Sequence, residues 1–341
     1  MTKHLVSIII PVYNVSDYVE ECLQSVAVQT YTHIECIIVD DCGTDDSMQK
    51  VEQFVTSYQG CITFKIFHHE HNRGLSAARN TGMDAATGDY IYFMDSDDYI
   101  YPNSIEVLVK AIEEEVDIDW SCGDYDNIPH RSLYKEGGIY KNALDLLGRR
   151  QLYPMAQNCL YKTTFLRGNN LYFKEGLIHE DNLWTFQVAC NSRKLGVCNH
   201  ATYFYRKRET SITTKPFPER YPFFFTIYQE YIRYATEHRL QNREDVFDCI
   251  TRLTIHFFRV PLLRGYNHLS YDYYKVVRKN PYLSMSQIWS LTHSLKQVSI
   301  RIHRIFPPRI GYLYIWILYQ PFNIKELLYA FFKDLCVWKQ R

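Results

Sequence analysis

Charge of one sign is missing from this sequence. Its 341 residues carry 38 Lys+Arg and 38 Asp+Glu. A chain so balanced has no overall electrostatic footprint for nucleic acid, and none is expected as a partner. Long apolar runs are missing too: none reaches the ~18 residues that a membrane-crossing helix requires. The ten cysteines are scattered and never form a C-x-x-C pair. That disfavours a zinc site or a thioredoxin-type motif and suits reduced thiols in a cytosolic protein. The opening residues run straight into a strand-like segment without a signal-peptide cleavage pattern. No G-x-G-x-x-G follows the first apolar run, where Tyr13-Asn14-Val15 stands instead, so a dinucleotide cofactor is disfavoured. Aromatic residues, in contrast, make up 16% of the chain, with 29 tyrosines, and charged residues 22%. That is the composition of an ordered chain. Its length predicts about two domains, or one large α/β unit with an appendage.

Hydrophobic periodicity orders the first half. Val6 to Val12 is an apolar run of strand length. Ser16 or Asp17, with Glu20 as in a capping box, predicts a helix that buries Val19, Cys22, Leu23 and Val26. Further strands are predicted at Ile34–Val39, Ile62–Phe67, Ile91–Met94, Trp120–Asp126, Gln157–Tyr161 and Val197–Tyr205. Helices are predicted over Ser47–Tyr58, Leu75–Ala86, from Ser104 to about Glu115, over Thr163–Gly168 and after Asp181. Residues 127–150 are turn-rich and read as a mobile excursion. Strands alternating with helices argue for a mostly parallel sheet covered on both faces. Ligands of such sheets bind beyond the carboxyl ends of the strands. Those ends carry Pro11-Val12-Tyr13, Asp40-Asp41 and Asp95-Ser96-Asp97, so acidic groups far apart in sequence converge on one rim. Carboxylates as close as Asp95, Asp97 and Asp98 would raise at least one pKa unless a cation lay between them. Hard oxygen ligands suit Mg²⁺ or Mn²⁺. The plainer alternative is a polar turn after a strand.

Beyond about Pro216 the composition changes. Two aromatic helices are expected, near residues 222–240 and 243–260. The last 61 residues hold eight Lys/Arg against Glu326 and Asp334. Basic, aromatic and apolar residues together over 296–341 suit a helix lying in a membrane interface, or else a packed helical subdomain with a solvated basic face.

The order of motifs resembles the family 2 glycosyltransferases of GT-A fold. The resemblance rests on SIIIPVYN, IIVDDCGTDDS, NRGLSAARNTGMDAATGDYIYFMDSDDY and the later His179-Glu180-Asp181. It is close over about residues 5–120 and looser over 150–212. It implies an α/β GT-A (Rossmann-like) domain over 1–215, with a nucleotide-sugar half (1–120) and an acceptor half (121–215). A helical, aromatic and basic region would follow over 216–341.

Carried over, the resemblance makes Asp97 the main ligand of Mn²⁺ or Mg²⁺ and places Asp95 on the ribose or in the metal shell. Asp98 is a weaker candidate with a structural alternative. Asp41 matches the position that reads the base, usually uracil, with helix capping as its other role, and Asp40 is equally a strand-end group. Cys42 stands where the common motif has Gly, which implies an altered turn. Pro11, Tyr13 and Asn14 would line the base pocket, and Arg73 would approach the base or phosphates. Arg79 reads as an internal ion pair. Asp181 matches the base that deprotonates the acceptor in an inverting, in-line displacement. Glu180 would orient the loop or the acceptor. His179 is an acceptor contact or a surface histidine, and Trp184 an acceptor platform or core. Arg206 and Arg208, in an Arg-x-Arg-x-x-Ser segment, would offset the leaving diphosphate or form a solvated turn.

The function implied is transfer of a sugar from a nucleotide-diphosphate donor, UDP-linked by family habit. The acceptor would be a glycan or a lipid-linked oligosaccharide, at the inner face of the cell membrane, in surface-polysaccharide synthesis. Two alternatives stand beside it. One is a sugar-nucleotide nucleotidyltransferase, although residues 10–20 lack its Gly-rich phosphate loop. The other is an inactive relative serving as a scaffold at the membrane.

Overall fold

The structure, a computed structural model, describes residues 4–128, 132–207, 216–240, 242–263, 267–278, 309 and 311. The chain divides into two compact units, Met1–Pro216 and Phe217–Arg341. The first unit runs β1 (Val6–Val12), α1 (Val19–Ala27), β2 (Ile34–Asp40), α2 (Ser47–Ser57), β3 (Thr63–His68), α3 (Leu75–Ala85), β4 (Tyr90–Phe93), β5 (Tyr99–Ile100) and α4 (Ser104–Glu113). It continues with β6 (Ile118–Tyr125), α5 (Ser132–Glu136), β7 (Gly138–Tyr140), α6 (Ala143–Gly148), β8 (Cys159–Lys162), α7 (Thr163–Gly168), α8 (Glu180–Asn191) and β9 (Lys194–Phe204).

One sheet carries all of these strands, in the order β3-β2-β1-β4-β8-β6-β9-β5, with β7 beside β9. The first four are parallel. Every residue of β1 is buried, as a strand covered on both faces requires, which is why it reads as an unbroken apolar run. The second half of the sheet is mixed: β8 is antiparallel to β4 and β6, β6 is parallel to β9, and β5 and β7 are antiparallel to β9. The register aligns Val12 with Asp40 and Ile9 with Phe93. The chain therefore leaves β1, β2 and β4 on the same rim, where Tyr13-Asn14, Asp41 and Asp95 begin.

Small residues on α3 set its depth. Ser76, Ala77, Ala78, Gly82 and Met83 are buried. A Cβ built on Gly82 would lie 2.3 Å from Cγ2 of Ile9, so the helix rests directly on β1.

Two expectations are corrected. The capping box at Asp17 and Glu20 is not formed: α1 begins at Val19 with Tyr18 before it and no side-chain cap. The preceding backbone is held from across the rim instead, Ser16 N–H by Asp45 (2.9 Å) and Val15 N–H by Ser47 Oγ (2.8 Å). Residues 127–150 are not a bare excursion, for they contain α5, β7 and α6. Asn142 caps α6 by accepting from Asp145 N–H at 2.9 Å. Tyr134, Leu144 and Leu147 are in the core, and this burial outweighs the turn-rich composition.

The second unit, by itself, has α9 (Phe217–Glu237), α10 (Glu244–Leu263) and α11 (Asn267–Arg278). Tyr228, Tyr231, Phe247, Ile250 and Tyr273 are buried within it. The sequence predicted two helices here, and α11 was not foreseen. Residues 296–341 lie outside the described residues apart from 309 and 311. Among the described residues no helix is long and apolar enough to cross a membrane.

The opposite rim holds a buried carboxylate of its own. Glu35 accepts from Ser7 Oγ (2.6 Å), Lys65 Nζ (2.6 Å), and the N–H and hydroxyl of Thr87 (2.7 and 2.9 Å). Burial alone would raise its pKa, but these donors together bring it down to about 2. The unfolded value is about 4.3, so Glu35 contributes stability that is full above that pH and is lost as pH falls toward 2. The size is on the order of 3 kcal/mol. Urea unfolding of Glu35→Gln should show a large deficit against wild type at pH 7 that shrinks steadily below pH 4. A deficit independent of pH would show that the ionised group is not what stabilises the fold.

Candidate functional site

The rim is built around Arg79 of α3. Its side chain is 1% exposed, and its guanidinium reaches three carboxylates from two distant parts of the chain. Nη2 donates to Oδ1 of Asp95 at 2.8 Å; Nη1 donates to Oε1 of Glu180 at 2.9 Å and Oδ1 of Asp181 at 2.8 Å. The Phe173 ring lies 5.1 Å from the guanidinium carbon. Burial would lower the pKa of Arg79, but Asp181, Asp95 and Glu180 outweigh it, so the group stays charged. The neighbouring Asn80 ties down the same segment. Its side-chain amide donates to the Phe173 carbonyl and accepts from Phe173 N–H, both at 2.9 Å. Arg79 and Asn80 thus bring the end of β4 and the start of α8 to one place.

The two acids of α8 have different environments. Glu180 is buried, which raises its pKa. Burial also pushes Asp181 up, to about 7, with Glu180 and Asp95 adding to the rise and Arg79 opposing it. Asp181 keeps 22% of its side chain exposed, and among the described residues its Oδ2 has no protein donor. It is therefore a carboxylate poised to ionise near neutrality with one oxygen available, as a general base requires. His179, just before α8, is half-buried in a left-handed conformation (φ 62°), and is not the surface histidine of the plainer expectation. Trp184 is core: it is 1% exposed, stacks on Phe173 at 4.1 Å and donates to Tyr161 Oη at 3.1 Å. It presents no face to a sugar.

The turn after β4 divides its acids. Asp98 points inward, accepting from Tyr203 Oη and from Arg206 N–H, each at 2.7 Å. Burial, with Asp95 and Asp97 beside it, pushes its carboxyl up to about 9. Asp95 and Asp97 are both half-buried, and Arg79 takes only Oδ1 of Asp95. Among the described residues no group of three or more acids, histidines or cysteines could hold a metal alone. Two carboxylates still fit Mg²⁺ or Mn²⁺, which commonly take one or two protein oxygens and complete their shell with water and substrate phosphates. Arg206 binds the turn itself: Nε donates to the Asp97 carbonyl at 2.9 Å, and Nη2 pairs with Glu21. Arg208 lies outside the described residues.

Asp41 sits two strands away, at the end of β2, with both oxygens engaged. Oδ1 accepts from Arg73 N–H (2.8 Å) and faces Nδ1 of His69 (2.7 Å), while Oδ2 accepts from Gly74 N–H (2.8 Å). Gly74 has φ 88°, a conformation that glycine adopts without strain. Asp41 therefore supports the entry to α3, not α2 as its structural alternative supposed. Asp40 accepts from Cys42 N–H and faces His68, both at 3.0 Å. Cys42 adopts φ 56°, the left-handed conformation for which Gly is the usual choice, and its Sγ lies 2.8 Å from the His69 carbonyl. Asn14 (φ 51°) accepts from Thr44 N–H at 2.7 Å. Tyr13 is 47% exposed on the rim and Pro11 is buried in β1. The side chain of Arg73 pairs with Glu175 at 3.3 Å. Asn80, His69 and Tyr203 escaped the sequence reading, because nothing local marks a residue whose partners come from distant segments.

Comparison with known proteins bears on the family and the fold. Residues 7–171 match the family described as "Glycosyl transferase family 2". The Escherichia coli (strain K12) "uncharacterized glycosyltransferase YibD" is 31% identical over 220 residues, spanning 61% of this chain and 62% of YibD. The Staphylococcus aureus (strain MW2) poly(ribitol-phosphate) beta-N-acetylglucosaminyltransferase TarS is 32% identical over 212 residues, spanning 60% of this chain but 36% of TarS. The chain thus spans less than two thirds of the length of these relatives. In fold it is similar to the crystal structure of S. aureus TarS 1–349 in complex with UDP-GlcNAc, with a TM-score of 0.64 at 24% identity over 92% of this chain and 89% of that one. The mannosyltransferase PcManGT from Pyrobaculum calidifontis, in complex with GDP-Man and Mn²⁺, gives 0.54 at 14% identity over 92% and 86%. The mixed α/β architecture is the GT-A fold, and residues 7–171 form a segment of the glycosyl transferase family 2 type.

Proposed function

We propose that this protein is an inverting, metal-dependent glycosyltransferase. It would move a sugar from a nucleotide-diphosphate donor, most simply a UDP-sugar, to a hydroxyl of a glycan or lipid-linked acceptor in surface-polysaccharide synthesis. The observation that carries this reading is the Arg79 bridge, which holds Asp95 on the donor side within one cluster with Asp181 on the acceptor side. A polar turn without a function would have no reason to share a buried arginine with a second acidic pair.

Residues 1–120 supply the donor side. Tyr13, Asn14 and the Asp40–Asp41 segment border the base, and Asp95 and Asp97 would hold Mn²⁺ or Mg²⁺ against the diphosphate. The bound cation would neutralise charge on the leaving group. Residues 121–215 supply the acceptor side. Asp181 takes the proton of the acceptor hydroxyl as its oxygen bonds to the anomeric carbon. The bond from that carbon to the diphosphate oxygen breaks, and the nucleoside diphosphate leaves on the opposite face. Arg79 keeps Asp181 and Asp95 in fixed relation, so that the two halves of the displacement stay aligned. Contact with a membrane's inner face through residues 296–341 rests on their basic, aromatic composition.

Four outcomes are expected. Asp97→Ala should abolish Mn²⁺-dependent hydrolysis of UDP-sugars, and unchanged turnover would remove the metal assignment. Asp181→Asn should keep UDP binding by calorimetry yet lose transfer. In the unaltered protein kcat should rise with pH through about 7 and level off above it, because the base must be ionised. A rate flat from pH 5 to 9 would exclude Asp181 as the base. Arg79→Met leaves three carboxylates facing one another and should cost about 3–5 kcal/mol in urea unfolding at pH 8; an unchanged midpoint would mean that the bridge does not hold the two sides together.

A further inference from the structure

The acidic turn after β4 is held from behind by β9. Tyr203 is fully buried, and its hydroxyl is used twice. It accepts from Asp95 N–H at 3.1 Å and donates to Oδ2 of Asp98 at 2.7 Å. The other oxygen of Asp98 accepts from Arg206 N–H, three residues further along. Asp98 N–H in turn closes the turn onto the Asp95 carbonyl at 3.2 Å. The strand pairing supports this arrangement, since β5 follows the turn at once and pairs with β9 through Ile100–Tyr203 and Tyr99–Phe204. The Tyr203 ring packs edge-on against Tyr125 at 5.5 Å. The hydroxyl is thereby fixed by its ring, and the turn is fixed by the hydroxyl.

We infer that Tyr203 and Asp98 act as one positioning pair that presets the Asp95–Asp97 turn for the divalent cation and the donor diphosphate. The inference rests on the donor-side reading above. Asp98 is an internal acceptor, and its partner lies more than a hundred residues along the chain. Two carboxylates bind a cation well only if their backbone does not have to be ordered first; otherwise binding itself must supply that ordering. Tyr203 touches neither the donor nor the reacting atoms. Its loss should therefore weaken binding of cation and donor and leave the chemical step of the bound complex nearly unchanged.

The test uses the full chain. Binding of Mn²⁺ in the presence of UDP is measured by isothermal titration for the unaltered protein, Tyr203→Phe, Asp98→Ala and the double variant. Kinetics are measured alongside, with Mn²⁺ and UDP-sugar varied. Phenylalanine keeps the ring packing and removes only the hydroxyl. Tyr203→Phe should weaken Mn²⁺ binding about tenfold, a change of about 1.4 kcal/mol. The KM for Mn²⁺ should rise in parallel, with kcat within about threefold. Asp98→Ala should give a similar loss, and the double variant should be no worse than the poorer single one, as expected for groups acting as a unit. Unchanged Mn²⁺ affinity in Tyr203→Phe would overturn the inference, even if its melting temperature fell, because that pattern belongs to a residue that only stabilises the fold. Additive losses in the double variant would overturn the pairing. Absence of Mn²⁺ binding by the unaltered protein would overturn the metal assignment first, and the inference with it.

Discussion

One buried arginine sets the terms for the site. A guanidinium that has left water must be compensated at close range, or the fold loses several kcal/mol. Arg79 meets this demand with Asp95, Glu180 and Asp181. The dependence also runs the other way, since three carboxylates could not be gathered in a poorly solvated place without a cation among them. Neither side of the cluster stands without the other. The surrounding structure can be read as the means of delivering it: small residues that seat α3 on the sheet, Asn80 holding residue 173, and β9 supporting the turn after β4.

Much of this was legible in the sequence, for a physical reason. Parallel strands with continuous apolar runs announce themselves, and their common polarity fixes which ends share a rim. The convergence of Asp41, Asp95 and Asp97 therefore followed from the order of elements alone. The motifs through Asp95 added a family that residues 7–171 match. What stayed hidden was partnership. Arg79 meets Asp95 16 residues away, but Glu180 and Asp181 are 101 and 102 residues away. Tyr203 meets Asp98 across 105 residues. Local pattern carries no signal for such pairs. The failures have the same origin. Asp17 and Glu20 have the spacing of a capping box, yet Asp45 and Ser47 reach the backbone there first. Residues 127–150 have the composition of a loop, yet tertiary burial orders α5, β7 and α6.

The two rims of the parallel half are electrostatic opposites in design. At one, Glu35 is surrounded by donors and ends with a strongly depressed pKa, as a fully satisfied structural carboxylate does. At the other, Asp181 is enclosed but incompletely satisfied, and its pKa is raised toward neutrality. Both acids belong to the same unit of the chain. The difference lies in how many hydrogen-bond donors each receives for the water it gives up, and that difference separates a group that holds the fold from a group that can exchange a proton.

Gly82 gives the arrangement a mechanical reading. It lies one helical turn beyond Arg79, and its missing side chain lets α3 rest on Ile9. An arginine has a fixed length, so the gap between helix and strand determines how far its guanidinium extends over the rim. A methyl group at position 82 would act as a shim under a lever. It would lift the helix at one end and withdraw the charge from its carboxylates at the other. Such a change touches no group that handles substrate, yet it would appear in kinetics as the loss of one. In this fold, the thickness of a packing contact is also a calibration of the chemistry.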